Sequence, residues 1–170
     1  EWGTSSPWIK STLNNEIKTK AQMEAFQAHW EAYRQIAIAT AKRSGIVNAD
    51  GTVTLYRGVK TTGHYKELGA QLAARDTEFA VATNFMSSWS ANFEVAKNFA
   101  TQYQYKQPLR PGIVFVKRVP VDDIFVGFFE NPNFSGFFSE NEVLWYNWDS
   151  TIVPKTTTIS RIGTIITEVH

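Results

Sequence analysis

The chain has 170 residues, 43% of them hydrophobic and 19% charged, which is a globular composition of single-domain size and excludes a disordered or fibrous chain. Its 17 basic and 16 acidic residues leave a net charge of +1, so no strong field for nucleic acid or an anionic membrane follows, although a local basic patch stays open. The absence of Cys excludes disulfides, thiolate metal sites and a Cys nucleophile.

Aromatics make up 14%, with 6 Trp and 12 Phe, enough for a stacking groove as well as a core. No apolar run approaches the roughly 20 residues that a membrane span needs. The opening Glu1-Trp2-Gly3-Thr4 lacks the basic-then-apolar pattern of a signal peptide. The abrupt start is expected of a domain cut from a longer protein. A single domain over 1–170 is expected, with a helical lobe over 1–50 and a β-core over 51–170.

The first periodic segment reads as helix. Thr19 and Gln22 stand at capping-box spacing. Met23, Phe26, Trp30, Tyr33, Ala37 and Ala41 follow at three- and four-residue steps, which puts them on one helical face. Lys42 and Arg43 suit the negative end of the macrodipole, and Gly45 suits the stop. After the turn Asn48-Ala49-Asp50-Gly51 the period becomes two, so 52–57 reads as a strand with Val53, Leu55 and Arg57 on one face. A helix is expected within 64–75 and a short strand over 85–90. Ser90 or Asn92 then caps a helix carrying Val95, Ala96 and Phe99. Strands are expected over 113–119, 124–128, 142–147 and 159–169, with a loop over 130–136. Helices packed on a mostly antiparallel sheet make an α+β domain. No glycine-rich dinucleotide loop or phosphate loop is present.

Three pieces carry candidate chemistry. In Leu55-Tyr56-Arg57-Gly58 an Arg ends an apolar strand. It is either an edge residue reaching water or a guanidinium fork aimed at a phosphate, with Gly58 admitting a ligand to the backbone. In Phe85-Met86-Ser87-Ser88-Trp89-Ser90 the hydroxyls either cap a turn or orient a carboxylate and line a pocket. In Phe137-Phe138-Ser139-Glu140-Asn141-Glu142-Val143-Leu144-Trp145 two carboxylates two residues apart share a strand face. They are either a solvated strand start or the paired acids that glycosidic chemistry uses.

The order of these pieces, Arg, then Ser-rich strand with Ala96-Lys97-Asn98-Phe99-Ala100, then Glu-x-Glu-Val-Leu, resembles the Arg–Ser-x-Ser–Glu class of mono-ADP-ribosyltransferases over about residues 52–147. The resemblance implies a split, mostly antiparallel β-sandwich with an N-terminal helical lobe and NAD in the cleft. It implies NAD as co-substrate and no metal. By this resemblance Arg57 contacts NAD phosphate and ribose, Gly58 meets the nicotinamide amide, and Tyr56, Ser88, Ser90 and Phe99 line the NAD site. Glu142 is the catalytic carboxylate and Glu140 activates the acceptor. The loop over 128–139 presents the acceptor, with Phe134 or Phe137 as the recognition aromatic, while 101–111, with Tyr103, Tyr105, Lys106 and Arg110, covers the nucleotide.

The usual Ser-Thr-Ser is broken by Trp89. Ser87-Ser88-Trp89 and Ser88-Trp89-Ser90 are both open registers. The second is preferred because it keeps hydroxyls at both outer positions, with Ser88 holding Glu142.

The resemblance implies ADP-ribose transfer to a macromolecule, with protein arginine favoured for Glu-x-Glu and RNA or DNA open. It further implies a toxin or effector, secreted or delivered within a larger protein and acting in cytoplasm, with an immunity or antitoxin protein as a partner. A monomer without membrane association is expected. Two rivals stand beside it: an NAD glycohydrolase on the same scaffold, and a non-enzymatic aromatic-rich binding module. His29, His64 and His170 lack ligand spacing, so a metal site is not expected.

Overall fold

The computed structural model describes residues 18–61, 65–74, 81–82, 86–101, 112–127, 142–146, 151–159 and 164–169. Helix α1 (Lys20–Arg43) opens on the expected capping box. The Gln22 backbone N–H donates to Thr19 Oγ1 at 3.1 Å, and Gln22 Oε1 accepts from the Thr19 N–H at 3.0 Å and the Lys18 N–H at 2.8 Å. Three otherwise orphaned donors are satisfied this way. The helix stops where Gly45 takes φ 75°, a left-handed conformation that side chains disfavour. Met23, Ala37 and Ala41 are buried as their period predicts, joined by Ile38, while Phe26 is partly buried. The side chains of Trp30 and Tyr33 lie outside what is described.

β1 (Thr52–Lys60) follows the turn. Helix α2 (Lys66–Ala73) falls inside the expected helical stretch, beginning after the N-cap residue Tyr65. Then come β2 (Val81–Ala82), β3 (Met86–Ser90), helix α3 (Phe93–Thr101), β4 (Gly112–Pro120), a 3-10 turn over Val121–Asp123 and β5 (Ile124–Gly127). β6 (Glu142–Tyr146), β7 (Thr151–Ile152), β8 (Pro154–Ile159) and β9 (Ile165–Val169) complete the described elements.

Seven strands form one sheet in the order β5-β6-β3-β1-β4-β9-β8, and β2 pairs β7 separately. Two expectations need correction. The single strand expected over 159–169 is the end of an antiparallel hairpin, with Ile159 opposite Ile165. The alternation on either side of 160–163 belongs to two strands, and period alone does not reveal a reversal. The strand expected to end at Arg57 runs on to Lys60, so Arg57 is interior to β1. The sheet is mostly antiparallel as expected, with β4 and β9 running parallel.

The sheet has a weak seam. Among the described residues, β1 pairs β4 over nine residue pairs and β3 pairs β6 over five, but β1 meets β3 only at Tyr56 opposite Ser90. The strands therefore form two firm halves, β5-β6-β3 and β1-β4-β9-β8, hinged at one pair. This is the split expected of the sandwich.

Each face of the sheet has its own core. On one face Val53, Leu55, Ile113, Phe115, Trp89, Val143 and Trp145 pack with Ile38 of α1, Leu68 and Leu72 of α2, and Val81 and Ile152 of the small sheet. On the other, Ala96 and Ala100 of α3 pack on Val114, flanked by Tyr56, Phe93, Val116 and Ile166. Burying this much aliphatic and aromatic surface, at about 25 cal/mol per Å², is the main force holding both halves. Arg34 of α1 donates to the Asp122 carbonyl and pairs with Glu31 at 2.9 Å, fixing the helix against the 3-10 turn.

Candidate active site

The three sequence pieces arrive on three adjacent strands, β1, β3 and β6. Register then sets which side chains share a face, because successive residues of a strand alternate. Tyr56 lies opposite Ser90, and Ser90 lies opposite Glu142. These residues form a row across two strand spacings, about 10 Å. Ser88, two residues before Ser90, is on the same face and sits diagonal to Glu142, since its direct partner is Leu144. Trp89 points the other way and is 2% exposed in the main core. The structure thus puts both outer hydroxyls of Ser88-Trp89-Ser90 on the strand face to which the Glu142 position belongs.

Arg57 leaves β1 on the face opposite Glu142, alongside Leu55 and Val59. Its guanidinium nevertheless turns into the seam, where Nη1 donates to the Ser88 carbonyl at 3.1 Å. That carbonyl lies on the far strand just past the single pair at which β1 and β3 meet. The fork occupies the notch where the ladder breaks off. Burial pushes the Arg57 pKa down, opposed by the charge of Tyr65 and a side-chain hydrogen bond with it. An arginine keeps its proton through such shifts. Among the described residues no carboxylate pairs with it.

Ser90 is 7% exposed, and its Oγ accepts from the Asn92 N–H at 3.0 Å. Asn92 Oδ1 accepts in turn from the Glu94 N–H at 2.9 Å, so Asn92 is the cap of α3. Of the two caps expected, Asn92 serves the helix and Ser90 serves the turn before it. The Ser90 hydroxyl can donate as well as accept.

Gly58 has a role that sequence reasoning missed. A Cβ there would stand 1.8 Å from the Ala96 carbonyl oxygen of α3. Gly112, across the ladder at the end of β4, meets the Ala100 carbonyl the same way, at 2.0 Å. Close approach of a helix backbone demands both glycines, so Gly58 is accounted for without a ligand. Tyr56 stacks edge-on against Phe93, with ring centroids 5.6 Å apart, and Phe99 is partly buried on α3.

Glu140, Phe134, Phe137, Tyr103, Tyr105, Lys106, Arg110, His64 and His170 lie outside the described residues, as does the side chain of His29. For Glu142 the strand position is described. Among the described residues no group of His, Asp or Glu has metal-ligating spacing. Tyr65 beside Arg57, and Lys117 near Trp145, were not legible in the sequence. Lys117 stands in an alternating strand at an inward position, opposite Leu55, and an inward Lys is the one signal that was there to find.

No family model and no curated protein matches the sequence. Solved structures do. Exoenzyme S from Pseudomonas aeruginosa, in complex with human 14-3-3 protein beta and bound to carba-NAD, aligns over 98% of this chain and 67% of its own, at 13% identity and a TM-score of 0.45. The Vis toxin ADP-ribosyltransferase from Vibrio splendidus aligns over 96% and 67%, at 14% identity and a TM-score of 0.42. The enzymatic component of the C2-toxin from Clostridium botulinum aligns over 96% of this chain, at 14% identity and a TM-score of 0.42, but over 46% of its own length. The chain therefore spans between about half and two thirds of the structures it matches. Likeness this remote assigns no residue a role, but over nearly its whole length the chain is similar to solved ADP-ribosyltransferases.

Proposed function

We propose that this chain is a mono-ADP-ribosyltransferase that cleaves NAD and passes ADP-ribose to a macromolecular acceptor, protein arginine first. One observation carries the reading. Tyr56, Ser90 and Glu142 stand in a row across β1, β3 and β6, and the Arg57 fork lies in the seam beside that row with no carboxylate against it among the described residues. A partly desolvated cation without an anion is costly, and a bound phosphate supplies the anion.

In this reading the NAD pyrophosphate lies along the seam at Arg57 and the nicotinamide ribose lies over Ser90 and Glu142. The bond between C1′ and the nicotinamide nitrogen breaks, its electron pair leaves with neutral nicotinamide, and positive charge develops at C1′. Glu142 stabilises that charge and accepts a hydrogen bond from the ribose 2′-hydroxyl. Ser88 and Ser90, on the same face, orient the carboxylate. Glu140 would take the proton of an arginine acceptor as its nitrogen bonds to C1′. Phe134 or Phe137 would receive the acceptor, and Phe99 would border the NAD site. The chemistry asks for no metal. A toxin or effector delivered into a target cell's cytoplasm, countered by an immunity protein, is the setting that fits this activity.

The test is incubation with NAD labelled in its ADP-ribose moiety, with and without whole-cell lysate. The reading expects free nicotinamide and label on macromolecules that protease removes. Label removed by nuclease instead moves the acceptor to RNA or DNA. Nicotinamide without macromolecular label makes the chain a glycohydrolase, and no nicotinamide at all leaves a binding module.

A further inference from the structure

Lys117 projects from β4 on the face of the main core, opposite Leu55 and between Phe115 and Val119. Its Nζ lies 5.1 Å from the ring centroid of Trp145 on β6. β4 and β6 are not neighbours: β1 and β3 lie between them, and the seam with them. The contact therefore bridges the two halves of the sheet. Trp145 is itself held edge-on by Trp89 of β3, at 5.6 Å between centroids, so the cation bears on a ring pair belonging wholly to the β5-β6-β3 half. Burial pushes the Lys117 pKa down and the Asp123 charge opposes it.

We propose that Lys117 is a positioning residue: its contact with Trp145 sets the angle between the half-sheets and thereby places Glu142 relative to Arg57. This rests on the transferase reading. Arg57 belongs to the half anchored by the long β1–β4 ladder, and Glu142 lies three residues before Trp145 on the same short strand. The backbone joins these halves at one residue pair. Apolar packing across the seam is non-directional. Contacts with defined geometry that cross it include Arg57 to the Ser88 carbonyl and Lys117 to Trp145. A small rotation at the joint leaves Arg57 carried by its own half-sheet but moves Glu142, on the other half, away from C1′. Displacements of this kind lower turnover more than binding.

The experiment compares Lys117→Met, Lys117→Arg and Trp145→Leu with the unaltered chain. Lys117→Met should lower kcat for nicotinamide release about tenfold with KM for NAD changed less than about twofold, on the scale of a partly desolvated cation–π contact. Lys117→Arg keeps a cation over the ring and should restore kcat. The Lys117→Met/Trp145→Leu double variant should be no worse than the poorer single one, as expected of partners in one contact. Amide exchange, which needs no NAD, should speed up in 56–58 and 88–90 for Lys117→Met and not for Lys117→Arg. Unchanged kcat, additive losses, or a loss that Lys117→Arg fails to restore would overturn the proposal. If the unaltered chain releases no nicotinamide, the transferase reading fails, and exchange at the joint still decides whether Lys117 holds the halves together.

Discussion

Arg57 reaches across the seam between the two half-sheets. Its guanidinium presents a planar set of donors, of which one reaches the Ser88 carbonyl and one engages Tyr65. Arg57→Lys keeps the charge and loses the fork. It should weaken NAD binding by about tenfold or more, the scale of one charge-assisted hydrogen bond, as read by calorimetric titration. Unchanged affinity would leave Arg57 as a strut across the seam. The sequence reads Arg57 as the end of an apolar strand, whereas β1 runs on to Lys60 and holds it in the interior. Its direction was not legible, because the alternation that puts Arg57 with Leu55 also puts it opposite Glu142, and only the meeting of Tyr56 with Ser90 relates one strand's faces to the other's. That pairing is long-range and leaves no local signature.

At the scale of elements, the helices and the strands with clear ends could be read from the sequence. Thr19 and Gln22, Gly45, and Asn92 mark their boundaries by chemistry acting within a few residues. The short pair β2–β7 and the hairpin β8–β9 could not, since two-residue strands carry no period and a reversal inside an alternating run keeps the alternation. Gly58 illustrates a related limit: a glycine in a strand signals close approach, but not of what. The approaching group is α3. Gly58→Ala would drive a Cβ to 1.8 Å from the Ala96 oxygen, which is helix backbone and cannot swing aside. The helix must lift, at a cost of about 1–3 kcal/mol for overpacking. Urea unfolding should show that loss, together with looser protection of α3 amides. A melt within experimental error of the unaltered chain would mean that α3 yields freely.

For the whole molecule, the division into two firm half-sheets explains why the candidate groups stand where they do. A continuous seven-stranded ladder would have filled the β1–β3 gap with hydrogen bonds and left Arg57 an ordinary core-facing residue. The seam instead brings Arg57, Ser88, Ser90 and the Glu142 position together on adjacent strands, with α3 behind one face and α1 and α2 behind the other. The charge balance of the chain said nothing of this, since a net charge of +1 does not reveal one cation held at a seam between strands. In the proposed reaction Glu142 stabilises the charge that develops as nicotinamide leaves, and the decisive measurement is nicotinamide release by Glu142→Ala. The variant should fold, with an unchanged melting temperature and NAD affinity within a fewfold, and should lose at least about 100-fold in turnover, as for removal of one preorganised electrostatic group. A folded Glu142→Ala protein that releases nicotinamide at the rate of the unaltered chain would contradict the account.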